Sequence, residues 1–168
     1  MWSSSFPSAE TLSLFELPRE WSQSGLPLRS IPAPFLIAFL YLAIIFGLQY
    51  RLKEAKPFNL RPLVALHNGF LSITSSLLLG LICLRVVPQI WQRDYWFATC
   101  SQQLLQDHTL FLCFYANYLF KIYELVDTVL LVLKKKELDF LHVYHHTMTL
   151  LLSYSQLEAP STVVRPYN

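Results

Sequence analysis

The sequence predicts an all-α fold: a multi-pass bundle of transmembrane helices, with about four spans present. Three observations carry that prediction. Hydrophobic residues fill 54% of the 168 positions and charged residues only 14%, and the mean hydropathy is +0.37. The apolar residues are gathered into runs long enough to cross a bilayer, which takes about 20 residues of helix. The breaks between the runs carry the prolines and Lys/Arg clusters that mark helix ends and membrane surfaces. A net charge of +2, with no basic–aromatic surface pattern, excludes nucleic acid as a partner class. No internal repeat or low-complexity tract divides the chain.

Residues 1–30 form an N-terminal segment with Ser, Pro and Glu and little periodicity. No basic stretch followed by an apolar core opens it, so it does not read as a secretory signal peptide. Leu12, Leu14, Phe15 and Leu17 suit either a short turn at the headgroups or a disordered terminus.

The transmembrane region is expected over 31–157. Its first span lies near 31–50, where Pro32 and Pro34 fit a helix start because the missing N–H is unpaired there anyway. A loop with Arg51, Lys53, Lys56 and Arg61 follows, broken by Pro57 and Pro62. The second span lies near 63–87 and is dotted with His67, Asn68, Thr74, Ser75 and Ser76. Small hydroxyl residues of this kind let membrane helices approach closely.

A loop is expected from Pro88 to His108. Its Trp91, Tyr95, Trp96 and Phe97 suit a membrane-interface belt, with Arg93, Asp94 and Asp107 solvated and His108 at the interface. The third span lies near 109–133 and ends at Lys134, Lys135 and Lys136. The fourth lies near 140–157, and 158–168 form a divergent tail. Arg/Lys residues cluster in the loops at 51–61 and 134–139 and are nearly absent between Pro88 and His108. The positive-inside rule therefore puts both basic loops in the cytosol and the N-terminal segment in the lumen. Cys83, Cys100 and Cys113 are scattered and odd in number, which suits packed thiols better than a disulfide framework. No spacing resembles a zinc site.

Chemistry concentrates between Lys121 and His146. His142, His145 and His146 stand at i, i+3 and i+4, on one side of a helix. Three such imidazoles can ligate a metal, move protons or attack a carbonyl. An interfacial polar patch is the plainer alternative, but ionisable groups at membrane depth are costly and usually functional. Upstream, Lys121, Glu124 and Asp127 recur every third residue. Lys121 and Glu124 can neutralise one another; Asp127 has no such relief in the sequence. His67 and Asn68 either bond a neighbouring helix or line a site.

These residues resemble the fatty acid elongases of the endoplasmic reticulum. The matching features are Lys121-x-x-Glu124-x-x-Asp127-Thr128, the run Lys134-Lys135-Lys136, the box Phe140-Leu141-His142-x-Tyr144-His145-His146, and the pair His67-Asn68. Tyr144 and the Leu-Lys-Lys-Lys lead-in look most like the fungal branch. The resemblance implies a multi-pass protein of the endoplasmic reticulum membrane that condenses acyl-CoA with malonyl-CoA to a 3-oxoacyl-CoA and CO2, in very-long-chain fatty acid synthesis. It implies no cofactor and no metal. Beyond membrane lipid, the partners it implies are other elongases or the reductases and dehydratase of the elongation cycle.

On this reading His145 accepts the acyl group, with His142 and His146 orienting it or moving protons. Asp127 holds one imidazole in the correct tautomer. Lys121, Glu124, His67 and Asn68 line the substrate site, and Lys134–Lys136 either meet CoA phosphates or mark topology. The family's further spans, its His-x-x-Met-Tyr motif and its Thr-x-x-Gln motif do not follow the fourth span, so the resemblance covers an N-terminal portion of a family member. That departure leaves a second reading, an inactive subunit that assembles with full-length elongases. A third class, the di-iron membrane desaturases, also uses a His-x-x-His-His box. Those proteins use several such boxes and more histidines than the five present here.

Overall fold

The computed structural model describes residues 26–96 and 107–163, with the side chains of 159–163 excepted. Leu12, Leu14, Phe15, Leu17, Phe97 and Cys100 lie outside the described residues. Among the described residues there is no strand, and four long helices carry the fold. They are α1 (Pro32–Arg51), α2 (Arg61–Gln92), α3 (His108–Leu133) and α4 (Phe140–Val163).

Local chemistry sets the helix starts. Prolines stand in the opening turns of α1 and α2, where the first amides have no helical partner to lose. Asp107 starts α3 by side-chain capping, its Oδ1 accepting from the amides of Thr109 at 2.8 Å and Leu110 at 3.0 Å. It also faces Arg85 at 3.9 Å. The expected solvated loop residue is therefore a cap, and the tie to Arg85 joins α3 to α2. The expected loop from Pro88 is corrected as well, since α2 runs through Pro88 to Gln92. A proline removes only its own amide bond, and a long membrane helix tolerates that loss.

By length and composition α1 and α2 can each cross a membrane. The polar groups are gathered on α3 and α4 instead. α3 packs against each of the other three helices, and α1 also meets α4. The core of this packing joins Tyr41 and Ile45 of α1, Tyr118 and Leu125 of α3, and Leu150, Tyr154 and Leu157 of α4. The single buried residue of α2 is His67. A helix this apolar and this exposed suits lipid or further helices around it.

Each end of the packed helices is tied by polar contacts. At one end three tyrosine hydroxyls donate to three successive carbonyls: Tyr115 to Pro27 at 3.0 Å, Tyr118 to Leu28 at 3.1 Å and Tyr154 to Arg29 at 3.1 Å. Leu28 takes a left-handed φ of 61°, and Arg29 pairs with Glu158 at 3.0 Å. At the other end the Lys135 ammonium donates to the carbonyls of Leu52 and Lys53. The Phe58 amide donates to the Leu133 carbonyl at 3.2 Å. The two basic loops therefore lie together at one end of the bundle.

Candidate active site

The site is built on α3. Tyr123 and Asp127 are four residues apart and so share a helix face. That face meets α2 at His67. Asp127 Oδ1 lies 2.8 Å from His67 Nε2, and the Tyr123 hydroxyl lies 2.9 Å from Nδ1. Their rings are 4.8 Å apart and tilted by 38°. The Nε2 atom is buried and lacks a well-directed hydrogen bond, so its contact with Asp127 is an off-axis electrostatic one. Burial strengthens such a contact because little water screens it.

The other polar residues of α3 point elsewhere. Lys121 grips both oxygens of Glu124, at 2.7 and 2.8 Å, which is the mutual neutralisation open to an i, i+3 pair. Thr128 is fully buried and bonds the Tyr41 hydroxyl of α1 at 2.8 Å. Asn68, one step along α2 from His67, is exposed. The His67-Asn68 pair thus divides, one side chain packed on α3 and the other on an open face.

The histidine box occupies the first two turns of α4. Asp139 precedes it and accepts from the Leu141 amide through its side chain at 3.2 Å, and from the His142 amide through its carbonyl at 3.1 Å. His142 and His146 lie one turn apart with ring centroids 4.5 Å apart. His146 is buried, His142 is half-buried and His145 is exposed. The His145 ring stands 5.8 Å from that of His146, nearly perpendicular to it. The box therefore packs two imidazoles ring against ring and leaves the third exposed.

The imidazole that Asp127 meets is His67 of α2, at 2.8 Å. The reason is angular, since Asp127 shares its helix face with Tyr123 and that face packs on α2. Tyr123 was not singled out from the sequence, although its i, i+4 relation to Asp127 was the available signal. Among the described residues no group of three or more His, Cys, Asp or Glu side chains is arranged to hold a metal ion. Cys113 is buried and Cys83 exposed, both as free thiols.

Comparison with known proteins places this site in a family context. The family model described as "ELO: GNS1/SUR4 family" matches residues 26–165. The chain is similar to fatty acid elongase A of Dictyostelium discoideum, at 33% identity over 138 residues, covering 82% of this chain and 50% of that protein. It is also similar to the fatty acid elongase sre1 of the same organism, at 36% identity over 128 residues, covering 75% of this chain and 47% of that protein. The chain thus spans half or less of the length of the curated relatives it matches. No solved structure matches it.

Proposed function

The chain belongs to the GNS1/SUR4 (ELO) family, and from that premise we propose that it carries the condensing site of a fatty acid elongase, a very-long-chain 3-oxoacyl-CoA synthase. Two helices apolar enough to cross a bilayer and the family together make it a membrane protein. We place it in the endoplasmic reticulum membrane as a multi-pass protein, with acyl-CoA and malonyl-CoA as substrates. The reductases and dehydratase that complete the cycle, and other elongases, are its proposed partners.

The observation that carries the mechanism is the unequal exposure of the box. A covalent acceptor has to be reached by a thioester, and His145 is the box imidazole that is exposed. His145 attacks the acyl-CoA carbonyl. The carbon–sulfur bond breaks and CoA leaves as the thiol, taking the imidazole proton. Malonyl-CoA then loses CO2, and the electron pair of the broken carbon–carbon bond attacks the acyl-imidazole carbonyl. The imidazole is expelled, regaining a proton from solvent, and a 3-oxoacyl-CoA two carbons longer departs. Splitting the transfer in two lowers each barrier. His142 and His146, less exposed than His145, orient the acceptor and move protons.

The complete open reading frame that encodes this chain can be expressed in a host stripped of its own elongases. Microsomes are then supplied with acyl-CoA and labelled malonyl-CoA. Labelled 3-oxoacyl-CoA is expected, and its loss in His145→Ala. Wild-type product no higher than in the empty-vector control would refute the assignment.

A further inference from the structure

The two basic loops are held together at one end of the helices, although like charges so placed repel. Arg51 closes α1, Arg61 opens α2 and Lys134 caps α3, so cations stand where these helices end. Lys135 follows with a left-handed φ of 57°, a costly conformation for a residue with a side chain. Its ammonium donates to the Lys53 carbonyl at 2.8 Å and to that of Leu52. Lys135 is thus engaged in the tie between the loops. Arg51, Lys53, Lys56, Arg61 and Lys136 are exposed and Lys134 is half-buried. No ion pair among the described residues includes any of these six. The carboxylates of the same stretches are Glu54, Glu137 and Asp139, and Asp139 is occupied at the start of α4.

We propose that this tied end is a binding surface for the headgroups of anionic phospholipids, with the lipid phosphate seated between the 51–61 and 134–139 loops. The proposal does not depend on the elongase reading. Its first argument is charge. Lys/Arg clusters of this size immediately beside membrane helices attract anionic headgroups, and ammonium and guanidinium groups form charge-assisted hydrogen bonds with phosphate. The second argument is the tie itself. Lys135 joins the loops through neutral carbonyls and not through carboxylates. The cations are therefore drawn together with their net charge undiminished, and an anion between them relieves the repulsion.

Aromatic rings select a lipid over a soluble phosphate. Tyr50 precedes Arg51, Phe58 lies in the 51–61 loop and Phe140 opens α4, and all three are exposed at this end. A soluble phosphate would meet the cations and leave these rings in water. A phospholipid covers both, with phosphate oxygens on the cations and its glycerol and upper acyl carbons on the rings. Aromatic side chains at headgroup level are the usual companions of such cations. The positive-inside rule assigns this end to the cytosol, and the cytosolic leaflet carries anionic lipid.

The test reads lipid contact and not turnover. The full chain is reconstituted into phosphatidylcholine vesicles containing a trace of spin-labelled phosphatidic acid or, in parallel, spin-labelled phosphatidylcholine. Electron paramagnetic resonance gives the fraction of each label immobilised on the protein. In the wild type phosphatidic acid is expected to be preferred about fivefold, the effect of a single cation at headgroup depth. The triple variant Lys53→Gln, Lys134→Gln, Lys136→Gln replaces side chains that make no ion pair among the described residues, and its preference should be close to none. Lys135→Met and Lys56→Gln each remove one charge, but only the first removes the tie, so Lys135→Met should lower the preference more. Free coenzyme A, added at constant ionic strength, should leave the immobilised phosphatidic acid in place. Equal preference in the wild type and the triple variant, or an effect of Lys135→Met no larger than that of Lys56→Gln, would overturn the proposal. Displacement of the lipid label by coenzyme A would also overturn it and give the surface to a soluble phosphate.

Discussion

Asp127 and His67 meet at 2.8 Å across the contact between α3 and α2, and they are one of the points at which the exposed second helix is tied to α3. His67 is the buried residue of α2. The Tyr123 hydroxyl completes the arrangement from the same face as Asp127. Polar contacts at His67 and Arg85 and the aromatic contacts of Phe70 together seat this apolar helix on α3.

Removing both members of this pair should cost less than the sum of removing each alone. Asp127→Leu leaves a buried imidazole beside an apolar neighbour, and His67→Leu leaves a carboxylate without its imidazole partner. Loss of one partner of a buried pair typically costs roughly 3–5 kcal/mol. The partial exposure of Asp127, at 28% of its side chain, should bring the value to the lower end. The double variant should be less destabilised than the sum of the singles. Unfolding in mixed micelles for the four proteins of the cycle gives the coupling, and additivity would show that the two residues act independently.

The Tyr41–Thr128 bond should behave as an ordinary buried hydrogen bond. It joins α1 to α3 at 2.8 Å, with Thr128 fully buried. Tyr41→Phe removes the phenolic hydroxyl and should cost about 1 kcal/mol. Thr128 can still donate to a carbonyl of its own helix, which limits the loss. The same unfolding measurement checks this. A cost as large as that of Asp127→Leu would mean that Tyr41 supports more than one bond.

Much of this architecture was legible in the sequence, for identifiable reasons. Apolar runs punctuated by Pro and Lys placed the helices, because a bilayer admits few alternatives for a run of that length. The Lys121–Glu124 pair was readable because both partners stand on one helix at a fixed offset. His67 and Asp127 were each singled out, but their meeting was not, since it depends on how α2 is rotated against α3. No local spacing encodes that rotation. Tyr123 was missed because a tyrosine among apolar residues reads as packing until a neighbouring helix supplies its partner. The three tyrosine contacts to the carbonyls of residues 27–29 were hidden for the same reason. The extension of α2 past Pro88 shows the opposite error, a local breaker overruled by the helix around it.

Topology gives a third prediction. Lys135 bonds the backbone of the 51–61 loop, so both basic loops occupy one end, and the positive-inside rule assigns that end to the cytosol. With the native cysteines replaced by serine, a cysteine introduced at Glu54 should react with a membrane-impermeant maleimide added to sealed microsomes. One introduced at Asp94 should react only after the membrane is permeabilised. Labelling in the opposite order would reverse the orientation.

The last prediction concerns which imidazole carries the acyl group. All three rings of the box lie within two turns of α4, but their surroundings differ. His146 is 8% exposed and packed edge-on against His142 at 4.5 Å. An acyl chain attached there would have to displace the ring contact with His142. His142 is half-buried, and its Nε2 is out of reach of solvent. His145 is exposed, with no such obstruction to its ring. Incubation with acyl-CoA alone, without malonyl-CoA, should therefore trap the acyl group on His145. The adduct should be detectable by mass spectrometry of the peptide after rapid quench and should be released by hydroxylamine, as acyl-imidazoles are activated amides. His145→Ala should lose the adduct entirely. His146→Ala should still form it, but more slowly, because His146 positions the acceptor without bonding to the substrate. An adduct that survives in His145→Ala and vanishes in His146→Ala would transfer the acceptor role to the buried ring, and the order of exposure along the box would then be no guide to its chemistry.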